Sequence, residues 1–214
     1  MTSIKICGIS RSEDARLAVE CGAWAIGLVF WPHSPRRCEL DAAQEIAAEL
    51  RREVEIVGVF SDATLDDVTA VAEVVPLSIL QLHGHEGPAY CREAARRTGA
   101  KVMKAARVRD QAGIRALEPF HTELHLLDAH SPHAPGGTGE QFDWGLAAHH
   151  PRNVPVVLSG GLTPESVGEG IAAVRPFAVD TASGTEAEPG RKDEAKVRAF
   201  FRAVAAADEK AAAA

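Results

Sequence analysis

Short apolar runs rich in β-branched residues alternate along this chain with Ala-, Glu- and Arg-rich segments of helical period. The runs are IKICG (4–8), AIGLVF (25–30), EIVGVF (55–60), SILQLHG (78–84), KVMKAARV (101–108), LHLLDAH (124–130), VPVVLSGG (154–161) and FAVDTASG (177–184). Each predicts a buried strand. Helices are predicted between them, starting near Ser12, Leu40, Thr64, Pro88, Asp110, Asp143, Thr163 and Lys192. Capping chemistry supports several of these. Asp62 or Thr64 can open the third helix, and Thr163 followed by Pro164 reads as a cap with proline at the first helical position. Gly22 and Gly99 sit where a helix ends in a left-handed residue.

Strict alternation of strand and helix implies parallel strands joined by crossover helices. Eight units in 214 residues average about 27 residues each, near the lower limit for a (β/α)8 TIM barrel. An open doubly wound sheet would carry a Gly-rich G-x-G-x-x-G turn after its first strand, and KICGISRSED has none. The expected fold is α/β, a single (β/α)8 TIM barrel over residues 1–208, with 209–214 as a frayed C-terminal tail.

Composition narrows the function classes. Hydrophobic residues make up 46% and charged residues 25%, with a formal net charge of −7. Such a balance offers no general attraction for nucleic acid or an anionic membrane, so an anionic ligand would need a local positive site. No run approaches the ~20 apolar residues that span a bilayer, and MTSIKICGIS lacks the basic and apolar regions of a signal peptide. The expected location is the reducing cytoplasm, where structural disulfides are rare. Cys7, Cys21, Cys38 and Cys91 show no C-x-x-C spacing, and the nine histidines show no metal-binding pattern. Cys21, Cys38 and Cys91 read as packing residues. His33, His121, His125 and His133 read as surface or loop residues, and His149-His150 as part of a loop.

Parallel strands covered on both faces should be almost wholly apolar, and several here are not. Residues two apart share a strand face, which pairs Lys5 with Cys7, Gln81 with His83, and Leu124 and Leu126 with Asp128. Lys104 and Asp180 interrupt apolar runs of their own. If these faces point inward, polar groups from five strands meet at the C-terminal end of the barrel, where barrel enzymes hold their sites. Glycines gather at the same end: GGTG (136–139), Gly160 and Gly161 after SGG's serine, and Ser183–Gly184. Glycine turns after the seventh and eighth strands often hold phosphate. Arg36 and Arg37 follow the second strand, where a guanidinium either recognises a carboxylate or is simply solvated.

Taken in order, KICGI, GLVFWPHSPR, QLHG, LLDA with GGTGEQFDW, LSGGLTPESV and VDTASGTEAEPGRKD strongly resemble phosphoribosylanthranilate isomerases of tryptophan biosynthesis, from Lys5 to about Val204. The resemblance implies a cofactor-independent Amadori rearrangement of N-(5-phosphoribosyl)anthranilate to 1-(2-carboxyphenylamino)-1-deoxyribulose 5-phosphate. It implies Cys7 as general base and Asp128 as general acid. Lys5, Arg36, Gln81, His83 and Asp180 would bind substrate, with Arg36 on the anthranilate carboxylate. Gly137, Gly139, Gly160, Gly161, Ser183 and Gly184 would hold the phosphate. No metal is implied, and the default assembly is a monomer whose partner is the anthranilate-bearing phosphosugar alone. The chain departs from the family pattern at Thr181 and Ala182, where a valine and a serine are usual, and at Arg37, usually aromatic. Two other readings are a phosphosugar isomerase that also serves the histidine pathway and a catalytically silent phosphate-binding protein. The first usually has aspartates on strands one and five, where this chain has Cys7 and Ala105-Ala106-Arg107.

Overall fold

The structure is a computed structural model that describes residues 1–129, 143–151 and 153–213. Eight parallel strands close into a barrel in sequence order: β1 (Ser3–Cys7), β2 (Ala25–Val29), β3 (Glu55–Phe60), β4 (Ile79–Leu82), β5 (Lys101–Val108), β6 (Leu124–Ala129), β7 (Val156–Leu158) and β8 (Ala178–Thr181). Closure comes from β8 pairing with β1, with Lys5 beside Asp180. Helices α1 (Ser12–Glu20), α2 (Leu40–Leu50), α3 (Leu65–Val74), α4 (Pro88–Thr98), α5 (Gln111–Arg115), α6 (Val167–Val174) and α7 (Glu194–Ala212) follow their strands. A 3-10 segment, Trp144–His149, stands between β6 and β7. A small antiparallel pair, β9 (Glu186–Glu188) and β10 (Arg191–Lys192), lies between β8 and α7.

Alternation along each strand sorts the core into two layers. Cys7, Ala25, Val29, Val57, Val59, Ile79, Met103, Ala105 and Leu126 fill the barrel interior. Ile4, Ile6, Ile26, Leu28 and Ile56 pack outward on the helices. Capping follows the residue chemistry: the Thr64 side chain accepts from the Asp67 N–H, and Asp193 accepts from Lys196. Gly22 and Gly99 adopt φ of +94° and +72° behind their helices.

Four expectations need correction. Lys104 does not face inward: Met103 and Ala105 take the interior, so Lys104 points out, where its Nζ meets Glu86 and the Gly84 carbonyl, each at 2.7 Å. The sixth helix starts at Val167 rather than Thr163, because the Ser166 hydroxyl accepts from the Thr163 N–H and closes a separate turn over 163–166. The last helix starts at Glu194, because Arg191 and Lys192 are drawn into β10; it continues to Ala212, through most of the expected tail. His125 is on β6 and buried, not superficial, and it meets a buried loop residue, His150: His125 Nδ1 and His150 Nε2 are 2.8 Å apart, and His125 Nε2 bonds the Phe120 carbonyl. Their surroundings disfavour the charged form, and burial holds His150 down at about 4. Among the described residues no helix is long and apolar enough to cross a membrane.

Candidate active site

A cavity of about 310 Å³ opens at the C-terminal ends of the strands. Its walls divide by chemistry. Trp31, Val59 and Phe60 make an apolar side, while Gln81, His83, Arg107, Asp128 and Asp180 supply polar groups. Gly160, Gly161 and Ser183 form the rim after β7 and β8.

Cys7 ends β1 and reaches the cavity with 7% of its surface exposed. Lys5, two residues earlier on the same face, is wholly buried. Its Nζ donates to Asp180 Oδ1 at 2.7 Å, and the Ser159 hydroxyl donates to Oδ2 at 3.2 Å. Lys5 does not line the cavity, so its expected contact with substrate gives way to a supporting position behind Cys7. Burial works against its charge, but Asp180 and Cys7 more than offset this and keep it an ammonium. Burial also pushes the Cys7 thiol up, and Lys5 opposes that push. The contact depends on Gly27, which pairs with Cys7 across β1 and β2. A Cβ there would lie 2.7 Å from Sγ and 3.1 Å from the Lys5 Nζ.

Asp128 comes from β6 and is 3% exposed. His83 Nε2 lies 3.1 Å from its Oδ2, and Gln81 Nε2 lies 3.1 Å from His83 Nδ1. With the Gln81 amide turned this way, its Nε2 donates to Nδ1, so the imidazole proton sits on Nε2 and is donated to Asp128. The Gln81 Oε1 is then buried without a hydrogen-bond partner.

Arg36 lines the cavity, but its guanidinium is already engaged: Nε and Nη2 each approach Glu186 at 2.8 Å. Glu186 also accepts from the buried Lys192 Nζ at 3.2 Å, and that ammonium bonds the Ala182 carbonyl at 3.0 Å. Burial alone would raise the Glu186 pKa, yet Arg36 and Lys192 together hold it low. Burial lowers the Lys192 pKa despite Glu186.

Gly160 and Gly161 have φ of +93° and +67°, which side-chain-bearing residues rarely adopt. Ser183 faces the cavity, whereas Gly184 does not line it; a Cβ at Gly184 would collide with the Leu162 carbonyl. Thr181, one of the departures from the family pattern, donates to that same carbonyl at 2.8 Å and ties β8 to the turn after β7. Arg37 is exposed and pairs loosely with Glu39. Gly137 and Gly139 lie outside the described residues, as does His133.

Arg107, Ser159, Glu186 and Lys192 were not singled out by the sequence reading, and His33 joins the cavity rim although it reads as a surface residue. Arg107 had a signal available, since strand parity puts it on the face of Met103 and Ala105. The Pro-Gly step at 189–190 marks the β9–β10 turn that presents Glu186 and Lys192. Among the described residues no group of three His, Cys, Asp or Glu side chains is arranged to hold a metal ion.

The model of the N-(5'-phosphoribosyl)anthranilate isomerase family matches residues 4–203. An N-(5'-phosphoribosyl)anthranilate isomerase from Geobacter sp. (strain M21) is 49% identical over 200 residues, covering 94% of this chain and 96% of the relative. The crystal structure of the Thermus thermophilus phosphoribosyl anthranilate isomerase superposes with a TM-score of 0.87 at 37% identity, covering 96% of this chain and 99% of that one. A phosphoribosyl anthranilate isomerase in complex with reduced 1-(o-carboxyphenylamino)-1-deoxyribulose 5-phosphate superposes at 0.83 with 39% identity, covering 96% and 100%. With the barrel, the Cys7–Asp128 cavity and these likenesses in agreement, the chain belongs to the N-(5'-phosphoribosyl)anthranilate isomerase family.

Proposed function

We propose that the chain isomerises N-(5'-phosphoribosyl)anthranilate to 1-(2-carboxyphenylamino)-1-deoxyribulose 5-phosphate, a cofactor-independent step of tryptophan biosynthesis in the cytoplasm. The observation that carries this reading is that one thiol and one carboxyl, Cys7 and Asp128, open from β1 and β6 onto a single cavity, each backed by its own polar partner.

Asp128 is the general acid. It gives a proton to the furanose ring oxygen; the C1'–O bond breaks, and the anilino nitrogen lone pair forms the C=N bond of an iminium ion. Cys7 is the general base. Its thiolate takes the C2' proton, and the C–H electron pair becomes the C1'=C2' bond of an enolamine while the iminium π electrons return to nitrogen. Loss of the 2'-hydroxyl proton and protonation at C1' then give the ketone. The substrate's own nitrogen is the electron sink, so the protein need supply only positioned acid and base groups. Lys5 favours the thiolate over the thiol by its charge. The Gln81–His83 pair can serve both forms of Asp128. Turning the amide over satisfies Oε1 with the Nδ1 proton and leaves His83 Nε2 to accept from a protonated carboxyl. The φ-positive Gly160–Gly161 turn and Ser183 present backbone N–H groups to the phosphate.

The test follows the loss of substrate fluorescence on adding the protein, with Cys7→Ser and Asp128→Asn beside it. Turnover by the unaltered protein and losses of about 10²-fold or more in both variants, with folding intact, are expected. Normal turnover in both variants would remove these roles.

A further inference from the structure

Lys104 is a buried charge for which the isomerisation has no direct use. It points away from the cavity and is 5% exposed, and its partner Glu86 is 6% exposed. Neither lines the cavity. Stability alone is a poor reason for such a pair, because apolar residues of similar size often do as well in its place. What the pair holds is more telling. The Glu86 carboxylate accepts from three donors: the Asp62 N–H at 2.7 Å, the Gly84 N–H at 2.9 Å and the Lys104 ammonium at 2.7 Å. The same ammonium donates to the Gly84 carbonyl at 2.7 Å. Both backbone polar groups of Gly84 therefore end on one ion pair, which ties the segments after β3 and β4 to β5.

Gly84 follows His83, whose Nε2 lies 3.1 Å from Asp128 Oδ2. Because β4 ends at Leu82, His83 stands just past the strand, with its N–H on the Phe60 carbonyl at 2.8 Å. Beyond that bond, the path of the chain at His83 is set by how Gly84 is held. The fit there is close. A Cβ at Gly84 would meet the Asp62 nitrogen at 2.5 Å. Asp62 itself takes a φ of +53°, which is uncommon outside glycine. A shift of Gly84 would turn the imidazole at Asp128 although no atom of the ion pair enters the cavity.

We propose that Lys104 and Glu86 are positioning residues: through both backbone polar groups of Gly84 they hold the His83 imidazole on Asp128 and so set the geometry from which the acid works. The inference rests on the isomerase reading for the task of Asp128, but the placement of His83 is measurable without turnover. Reacting groups need support to within about 0.5 Å, and a misplacement of about 1 Å can cost on the order of 10²-fold.

Two variants test it, Lys104→Met and Lys104→Met/Glu86→Gln, with Val68→Ala beside them. Val68 is buried in the same outer layer as Leu82 and Val102, so its truncation loosens that layer without touching Gly84. Both Lys104 variants should lose about 10- to 100-fold in kcat with KM changed by less than about twofold, because the groups that touch substrate are intact. Val68→Ala should keep both constants near those of the unaltered protein. Nitrogen NMR of the His83 ring at pH 8 needs no substrate. It should show one tautomer, protonated at Nε2, in the unaltered protein and in Val68→Ala, and a mixture in both Lys104 variants. Unchanged kcat in the Lys104 variants, an equal fall in Val68→Ala, a rise in KM alone, or a His83 tautomer that the Lys104 variants leave unaltered would each overturn the assignment. Failure of both Lys104 variants to fold would assign the pair to the frame of the barrel and overturn it too. If the unaltered protein does not turn substrate over, the isomerase reading falls, and the His83 tautomer still decides this one.

Discussion

A single methyl group at position 27 is enough to test the proposed base. Gly27 is the gap into which the Cys7 sulfur and the Lys5 ammonium both fit, and an alanine Cβ would sit 2.7 Å from the sulfur. The thiol must move in Gly27→Ala, because the Cys7 Cα at 3.2 Å blocks escape on the backbone side. Misplacement of a reacting group by about 1 Å can cost on the order of 10²-fold, so turnover should fall by about that factor with the melting temperature little changed. Normal turnover would show that the sulfur has no fixed task. Lys5 can be tested through the thiol itself. Burial raises the Cys7 pKa and Lys5 opposes it, with Asp180 working against Lys5 as the smaller influence. Removing the pair as Lys5→Met/Asp180→Asn should therefore lower the thiolate fraction. The rate of iodoacetamide labelling of the Cys7 peptide at pH 8, read by mass spectrometry, should fall; an unchanged or faster rate would contradict the electrostatic role. At this scale the sequence was readable wherever parity alone decided orientation, as for Lys5, Cys7 and Asp128. Lys104 and Arg107 sit three apart on β5 and so face opposite ways. Taking Lys104 as the inward residue hid Arg107.

Elements were legible where local chemistry had no competitor. The Thr64 cap and the left-handed Gly22 and Gly99 are local features, and each appears as the sequence implies. Thr163-Pro164 carries the same local signature, but the Ser166 hydroxyl offers the Thr163 N–H another partner and delays the helix. The β9–β10 pair escaped because its strands are only three and two residues long, too short to show a period. It nevertheless has an energetic role. Glu186 neutralises Lys192, whose side chain is wholly buried, and clamps Arg36. Removing one partner of a buried pair leaves an uncompensated charge and costs about 3–5 kcal/mol. Glu186→Gln should lower unfolding free energy in urea by about that much. A loss below about 1 kcal/mol would mean that the pair behaves like an exposed one.

The whole barrel was legible because eight repeats of one pattern admit one closed arrangement; the long-range pairs that finish it were not. His125 and His150 show this. They are 25 residues apart, meet behind β6, and carry no periodic signal. Their effect on stability has a definite sign. Histidine in an unfolded chain titrates near pH 6.5, whereas burial first, and His125 second, hold folded His150 down at about 4. The unfolded state therefore binds more protons across that window, and the contribution is complete above about pH 6.5 and fades as pH falls toward about 4. Between pH 7 and pH 5 unfolding free energy should drop by about 2 kcal/mol on this account. His150→Gln should flatten the slope over the same range. Equal slopes in both proteins would assign the acid sensitivity elsewhere.

The shared carboxylate of Glu186 has a consequence for how the mouth of the barrel can change. Arg36 belongs to the segment after β2 and Lys192 to the segment after β8, and both depend on one acidic group. The two segments are thus electrostatically coupled through one side chain. Transplanting 31–37 alone from a relative that lacks the arginine would remove one of the two cationic partners of Glu186; transplanting 182–192 alone would leave Arg36 unanswered. Substitutions on these two rims should be accepted in pairs, and attempts to retarget the cavity by exchanging loops should move both segments together.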